Sequence, residues 1–176
     1  MVGEWVDKYP ESVKALSDAG HEVMDHSNTH PHMSQLSREE IQADVSACAD
    51  KIEAVTGVRP TLFRPPYGEY DDKVITAVRA LGMEPIQWDV DSLDWKDLSA
   101  SEITQRVTSK VQPGSIILFH NAALHTPEAL PGIIEALLKD GYTLVPVSEL
   151  ILPGTYNTDY TIDHTGRQMP CSTAAG

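Results

Sequence analysis

Basic residues are scarce. The 176-residue chain carries 13 Lys and Arg against 26 Asp and Glu, for a formal net charge of −13 and a pI near 4.7. A surface of that sign repels nucleic-acid phosphates and anionic membranes, so it points to a neutral or cationic small molecule or a glycan as partner. Cysteine is scarcer still. Cys48 falls on an apolar helical face and Cys171 in a polar tail, which gives no disulfide framework and leaves the redox compartment open. There is no apolar run long enough to span a membrane, no secretory leader, no internal repeat and no low-complexity segment. If the natural protein is exported, its signal is expected upstream of Met1. With 41% hydrophobic residues, one globular domain with a real core is expected.

What the chain has in abundance is histidine in one place: His26, His30 and His32 fall within seven residues. Imidazole is the commonest protein ligand for a transition metal near neutral pH, and His26 and His30 are close enough to share one ion after a single turn of chain. His-x3-His also occurs on many solvated helices. Here Ser27, Asn28 and Thr29 are poor helix formers and Pro31 follows at once, so the pair is expected on a strand-to-loop corner. His32, past Pro31, reads as solvated. Two ligands do not complete a catalytic site of the zinc type, so a third is expected from elsewhere.

The hydrophobic pattern alternates between short strands and helices. A helix over 10–19 ends at Gly20, and a strand follows at 22–25. Ser37 and Glu40 form a capping box for a helix that carries Ile41, Val45, Cys48, Ile52 and Val55 on one face and stops at Gly57. Then come a strand at 62–63, a helix over 72–81 closed by Gly82, and a strand at 85–88. Ser99 and Glu102 cap the next helix, and Pro113-Gly114 turns the chain into a buried strand at 115–119. A helix over 126–140 ends at Gly141, a last strand is expected at 142–145, and a polar, irregular tail occupies 153–176. Such alternation implies parallel strands covered by helices, as a barrel or an open sheet, with ligands bound beyond the carboxyl ends of the strands. Those ends carry His26 and His30, then Arg64, then Asp89, Asp91, Asp94 and Trp95, then His120. Singly, each has a plain structural explanation: an Arg can end a strand, an Asp can cap a turn, a His can sit satisfied in a core. Four consecutive strand ends delivering such groups are harder to obtain from packing alone.

These residues resemble the polysaccharide deacetylases, the NodB-homology domain of carbohydrate esterase family four. His26-Ser-Asn-Thr-His30 is similar to the family's His-Ser/Thr-x-x-His motif, and Arg64-Pro-Pro-Tyr67 to its Arg-x-Pro-Tyr motif. Asp91-Ser-Leu-Asp94-Trp95 matches Asp-x-x-Asp-Trp, and Leu118-Phe-His120 matches Leu-x-His. The resemblance covers about residues 1–152 and implies a distorted, incomplete (β/α) barrel with parallel strands, lacking its first βα unit. It implies a hydrolase that removes N-acetyl groups from a polysaccharide with a divalent metal, zinc or else cobalt or nickel. Peptidoglycan N-acetylglucosamine is the first substrate expected and chitooligosaccharide the second, with the full-length protein acting outside the cell or at its surface. By the same resemblance His26 and His30 would bind the metal. His120 would be the general acid, Asp94 its partner, and Arg64 the residue that orients the catalytic base. Tyr67 would offer a backbone N–H to the oxyanion, and Trp95 and Leu118 would line the acetyl slot.

The chain departs from the family in one respect: Thr-Phe-Asp-Asp-Gly, which supplies the general base and the third metal ligand, does not occur in it. Asp71-Asp72 belongs to the continuation of the Arg64 motif and cannot replace it. Val2-Gly3-Glu4-Trp5 resembles the stretch just after the family's second strand, so roughly forty residues, a βα unit plus a strand, are expected ahead of Met1. Impaired activity is therefore expected. The alternatives are an inactive fragment, a weak glycan-binding relic, or an O-acetyl esterase acting on xylan.

Overall fold

The computed structural model describes residues 1–151, 160–162 and 168–170. The chain forms two compact units, Met1–Gln87 and Trp88–Gly176. In the first, the elements are α1 (Gly3–Lys8), α2 (Pro10–Asp18), α3 (Arg38–Thr56), β1 (Leu62–Phe63), α4 (Asp72–Arg79) and β2 (Glu84–Pro85). The capping box at the start of α3 forms as expected: the Glu40 amide donates to Ser37 Oγ at 3.2 Å, and the Ser37 amide donates to the Glu40 carboxylate at 2.8 Å. Gly57, at φ 76°, ends the helix in the left-handed conformation. Because its apolar positions recur at helical spacing, α3 has two buried sides. Cys48 and Ile52 pack with Val6 of α1 and Val13 of α2, while Ile41, Val45 and Ala49 pack with Phe63 and with Val74, Ala77 and Val78 of α4. Each fully buried Ile or Val contributes about 1.5–3 kcal/mol of hydrophobic transfer, enough to make α3 the spine of this unit.

β1 and β2 pair in parallel, Leu62 with Glu84 and Phe63 with Pro85. The strand expected at 22–25 reduces to a single parallel bridge, Asp25 to Phe63. Its neighbouring backbone groups are engaged elsewhere, since the His26 amide donates to the Met1 carbonyl at 2.9 Å and the Ser27 and Asn28 carbonyls accept the first amides of α1. α1 has no counterpart in the sequence reading. The strand expected at 85–88 is shifted and shortened, because from Asp89 onward the amides turn to the Ile116 carbonyl.

The second unit holds β3 (Val90–Asp91), α5 (Ala100–Thr108), β4 (Ile117–Leu118), α6 (Thr126–Lys139) and α7 (Val147–Leu150), followed by β5 (Tyr160–Ile162) and β6 (Gln168–Pro170). The Ser99–Glu102 capping box is present. β3, read from sequence as loop, pairs in parallel with β4, Val90 with Ile117 and Asp91 with Leu118. Ile103 and Val107 of α5 bury themselves against Ala129, Ile133 and Leu137 of α6, with Val90 in the same cluster. The strand expected at 142–145 does not form. The Tyr142 amide closes the turn after α6 on the Leu137 carbonyl, its hydroxyl donates to Val111, and Leu144 and Val145 stay 47% and 41% exposed. The tail expected to be irregular contains an antiparallel pair, β5 with β6; its other residues, Cys171 included, lie outside the described residues. Among the described residues no helix is long and apolar enough to cross a membrane.

Candidate active site

In the first unit the parallel bridge at Asp25 delivers His26 beside Arg64, whose amide donates to the Asp25 carbonyl at 2.9 Å. His26 Nδ1 lies 2.6 Å from the Arg64 carbonyl oxygen and donates to it, which leaves Nε2 as the unprotonated ring nitrogen. Burial is the main force that pushes the imidazole down to about 4, so it is neutral near pH 7, as a metal ligand must be. The chain then turns sharply. Ser27 and His30 both adopt left-handed backbone, φ 68° and 56°, and the His30 amide is caught by Ser27 Oγ at 2.9 Å. This bends His30 back to the first histidine, with ring centroids 4.9 Å apart at 77°. Strained backbone at non-glycine residues is characteristic of functional corners.

The Arg64-Pro-Pro-Tyr67 segment lines the same histidines. Tyr67 is again left-handed, φ 58° and ψ 5°, and the turn is closed by Gly68 and Glu69 amides on the Pro65 and Pro66 carbonyls, each at 3.1 Å. His30 meets the Tyr67 ring edge-on at 4.6 Å, whereas His32 stacks on it at 4.2 Å and 13°. His32 is exposed, as read, and its Nδ1 donates to the Glu69 carboxylate at 3.0 Å. Lying against the Tyr67 ring, it does not join the other two histidines. Asp25 does not join them either: its carboxylate lies beside Cys48 and the Met1 amine, and burial pushes it up to about 7. Cys48, which burial pushes up to about 12, has no nucleophilic character. Arg64 Nε is buried without a hydrogen-bond partner, and the residue's carbonyl orients His26.

In the second unit, parallel β3 and β4 place Asp94 and His120 just beyond their ends. Asp94 is 1% exposed. Its Oδ1 accepts from His120 Nδ1 at 2.7 Å, and its Oδ2 accepts from the His120 amide at 2.9 Å and the Thr126 hydroxyl at 2.6 Å. Burial works to raise this carboxyl, but the hydrogen bonds from His120, Thr126 and Ser92 outweigh it and hold Asp94 below the ordinary carboxylate value. An ionised Asp94 fixes the Nδ1–H tautomer and leaves Nε2 of His120, whose side chain is 38% exposed, open to a ligand. The turn that aims Asp94 is built by Leu93 and Asp97, both left-handed at φ 53° and 54°. Trp95 is 56% exposed and carries the Lys96 ammonium 5.0 Å from its ring, while Leu118 is buried at the end of β4. Asp89 accepts from Ser115 Oγ and the Ile116 amide, both at 2.8 Å.

The sequence-predicted residues thus fall into two sets, His26, His30, Arg64 and Tyr67 in one unit and Asp94, Trp95, Leu118 and His120 in the other. Thr126, read only as a helix opener, was missed as a partner of Asp94, and Asp44 and Glu69 were missed as partners of the histidine loop. No local spacing marks any of the three. As a metal site, the imidazoles of His26 and His30 would suit zinc, cobalt or nickel. Among the described residues no three His, Cys, Asp or Glu side chains gather to hold an ion.

Residues 1–86 match the family model for polysaccharide deacetylase. The chain is 37% identical over 150 residues to the Bacillus subtilis peptidoglycan-N-acetylmuramic acid deacetylase PdaC, covering 85% of this chain and 32% of that protein. It is 32% identical over 140 residues to a Bacillus cereus peptidoglycan-N-acetylglucosamine deacetylase, covering 79% and 50%. The chain therefore spans half or less of these curated relatives. Among solved structures it is similar to PdaC itself, with TM-score 0.76, 38% identity and coverage of 85% of this chain and 72% of that one. It is also similar to a CE4 family pseudoenzyme from Bacillus anthracis, with TM-score 0.81, 37% identity and coverage of 85% and 53%. A mutant of that pseudoenzyme is described as having restored enzymatic activity.

Proposed function

This chain belongs to the polysaccharide deacetylase family, and from that premise we propose that it acts as a metal-dependent hydrolase that removes N-acetyl groups from a cell-wall glycan. The observation that carries the proposal is the buried Asp94 holding His120 at 2.7 Å with one ring nitrogen open. A protonated His120 would give its Nε2 proton to the sugar amine as the acetyl C–N bond breaks, and Asp94 would stabilise the imidazolium. Zinc, or else cobalt or nickel, bound by His26 and His30 would polarise the acetyl carbonyl. The Tyr67 backbone would face the developing oxyanion, Arg64 would orient a carboxylate base, and Trp95 and Leu118 would border the acetyl methyl. We read the fold as an incomplete (β/α) barrel and place the full-length protein at the cell surface or outside the cell. Peptidoglycan N-acetylglucosamine is the first choice of substrate, supported by the substrate named for the Bacillus cereus relative, and chitooligosaccharide is the second.

A second reading, an inactive or weakly glycan-binding relative, is favoured by one feature. The Thr-Phe-Asp-Asp-Gly motif does not occur in these 176 residues, and Asp89 is engaged by Ser115 and Ile116. A missing general base costs about a hundred- to ten-thousand-fold, so the chain alone should be near background. The test is acetate release from a soluble N-acetylglucosamine oligomer with added zinc, for the chain alone and for the chain fused to a family segment bearing Thr-Phe-Asp-Asp-Gly. The fusion should turn over and His120→Ala in it should not; a folded, metal-loaded fusion that stays silent overturns the assignment.

A further inference from the structure

The histidine loop has a partner outside all the motifs. Asp44, on α3, receives the Asn28 amide at 2.8 Å and the Thr29 hydroxyl at 2.8 Å through its two carboxylate oxygens. Asn28 and Thr29 lie between His26 and His30, so both bonds grip the middle of the loop. On its other side the loop is pinned by α1, where the Gly3 and Glu4 amides donate to the Ser27 and Asn28 carbonyls at 2.9 and 3.1 Å. The fit there is close: a Cβ on Gly3 would lie 2.2 Å from Asn28 Oδ1. A loop with left-handed Ser27 and His30 does not hold that shape by local preference, and it persists only where surrounding contacts over-determine it.

We infer that Asp44 is a positioning residue for metal binding, clamping the loop so that His26 and His30 present their imidazoles together; this rests on the deacetylase reading. Outer-shell groups that orient ligands typically change metal affinity by about 10–100-fold when removed. Asp44 acts one step further out, on backbone rather than on a ring, and its bonds are the ones that tie the loop to the rigid helix α3.

The experiment uses the whole 176-residue chain. Zinc is titrated calorimetrically into the parent, Asp44→Ala, Asp44→Asn and His30→Ala, and hydrogen exchange is followed at the Asn28 amide without metal. Asp44→Ala should weaken zinc binding by about 10–100-fold and speed exchange at Asn28. Asp44→Asn, which keeps an oxygen for the Asn28 amide and an amide group for the Thr29 hydroxyl, should restore most of both. Equal zinc affinity for Asp44→Ala and the parent, with binding lost in His30→Ala, overturns the positioning role and leaves the deacetylase reading intact. Unchanged zinc binding in His30→Ala sinks the metal reading instead. Exchange at Asn28 that is no faster in Asp44→Ala overturns the clamp whatever the metal does.

Discussion

Replacing Asp94 by Asn tests the proton-donor pair most directly. The side chain keeps its shape but loses its charge and one acceptor. If the amide oxygen takes the place of Oδ2 it still receives the His120 amide and the Thr126 hydroxyl, but the NH2 group then faces His120 Nδ1, donor against donor. The ring must give up its Nδ1 proton and adopt the other tautomer. A hydrogen bond to a charged partner contributes about 1.5–3 kcal/mol, offset in part because an amide costs less to bury than a carboxylate, so the net loss should be about 2 kcal/mol. For a chain of this length that is a fall in Tm of about 4–8 °C. The pH dependence fixes the sign. Asp94 is held below its ordinary carboxylate value, so its stabilisation is complete above that value and is lost as pH falls through the lower folded one. The gap between parent and Asp94→Asn should therefore be widest at neutral pH and close in acid, as read by urea unfolding across that range. In the fusion bearing the Asp-Asp pair, kcat should fall by about a hundred- to ten-thousand-fold with zinc affinity unchanged. A stability gap that does not vary with pH, or an unaltered kcat, would refute the reasoning.

Gly3→Ala should lower stability by about 1–3 kcal/mol and loosen zinc binding together, because its Cβ would meet Asn28 Oδ1 at 2.2 Å and push the histidine loop; thermal melts and zinc titration check both. Trp95→Ala, at a side chain 56% exposed, should change stability by no more than about 0.5 kcal/mol yet weaken binding of an N-acetylglucosamine oligomer in calorimetry. A large drop in Tm would mean that the indole serves packing rather than the glycan.

The sequence by itself determined what short-range rules can reach. Ser37 with Glu40 and Ser99 with Glu102 are capping boxes three residues wide, and Gly57 ends α3 in a conformation that glycine adopts at little cost; all formed as read. Arg64 after β1 and His120 after β4 were also legible as residues that follow a strand. Tertiary structure decided the rest. His26 is oriented by a carbonyl 38 positions away, His120 by a carboxylate 26 away, and Asp94 by a hydroxyl 32 away. None of these separations leaves a periodic trace. Residues 142–145 were apolar enough for a strand and formed none, since a strand exists only where another offers its ladder. The neutrality of His26 likewise comes from burial, and burial is a property of the packed chain rather than of the residues beside it.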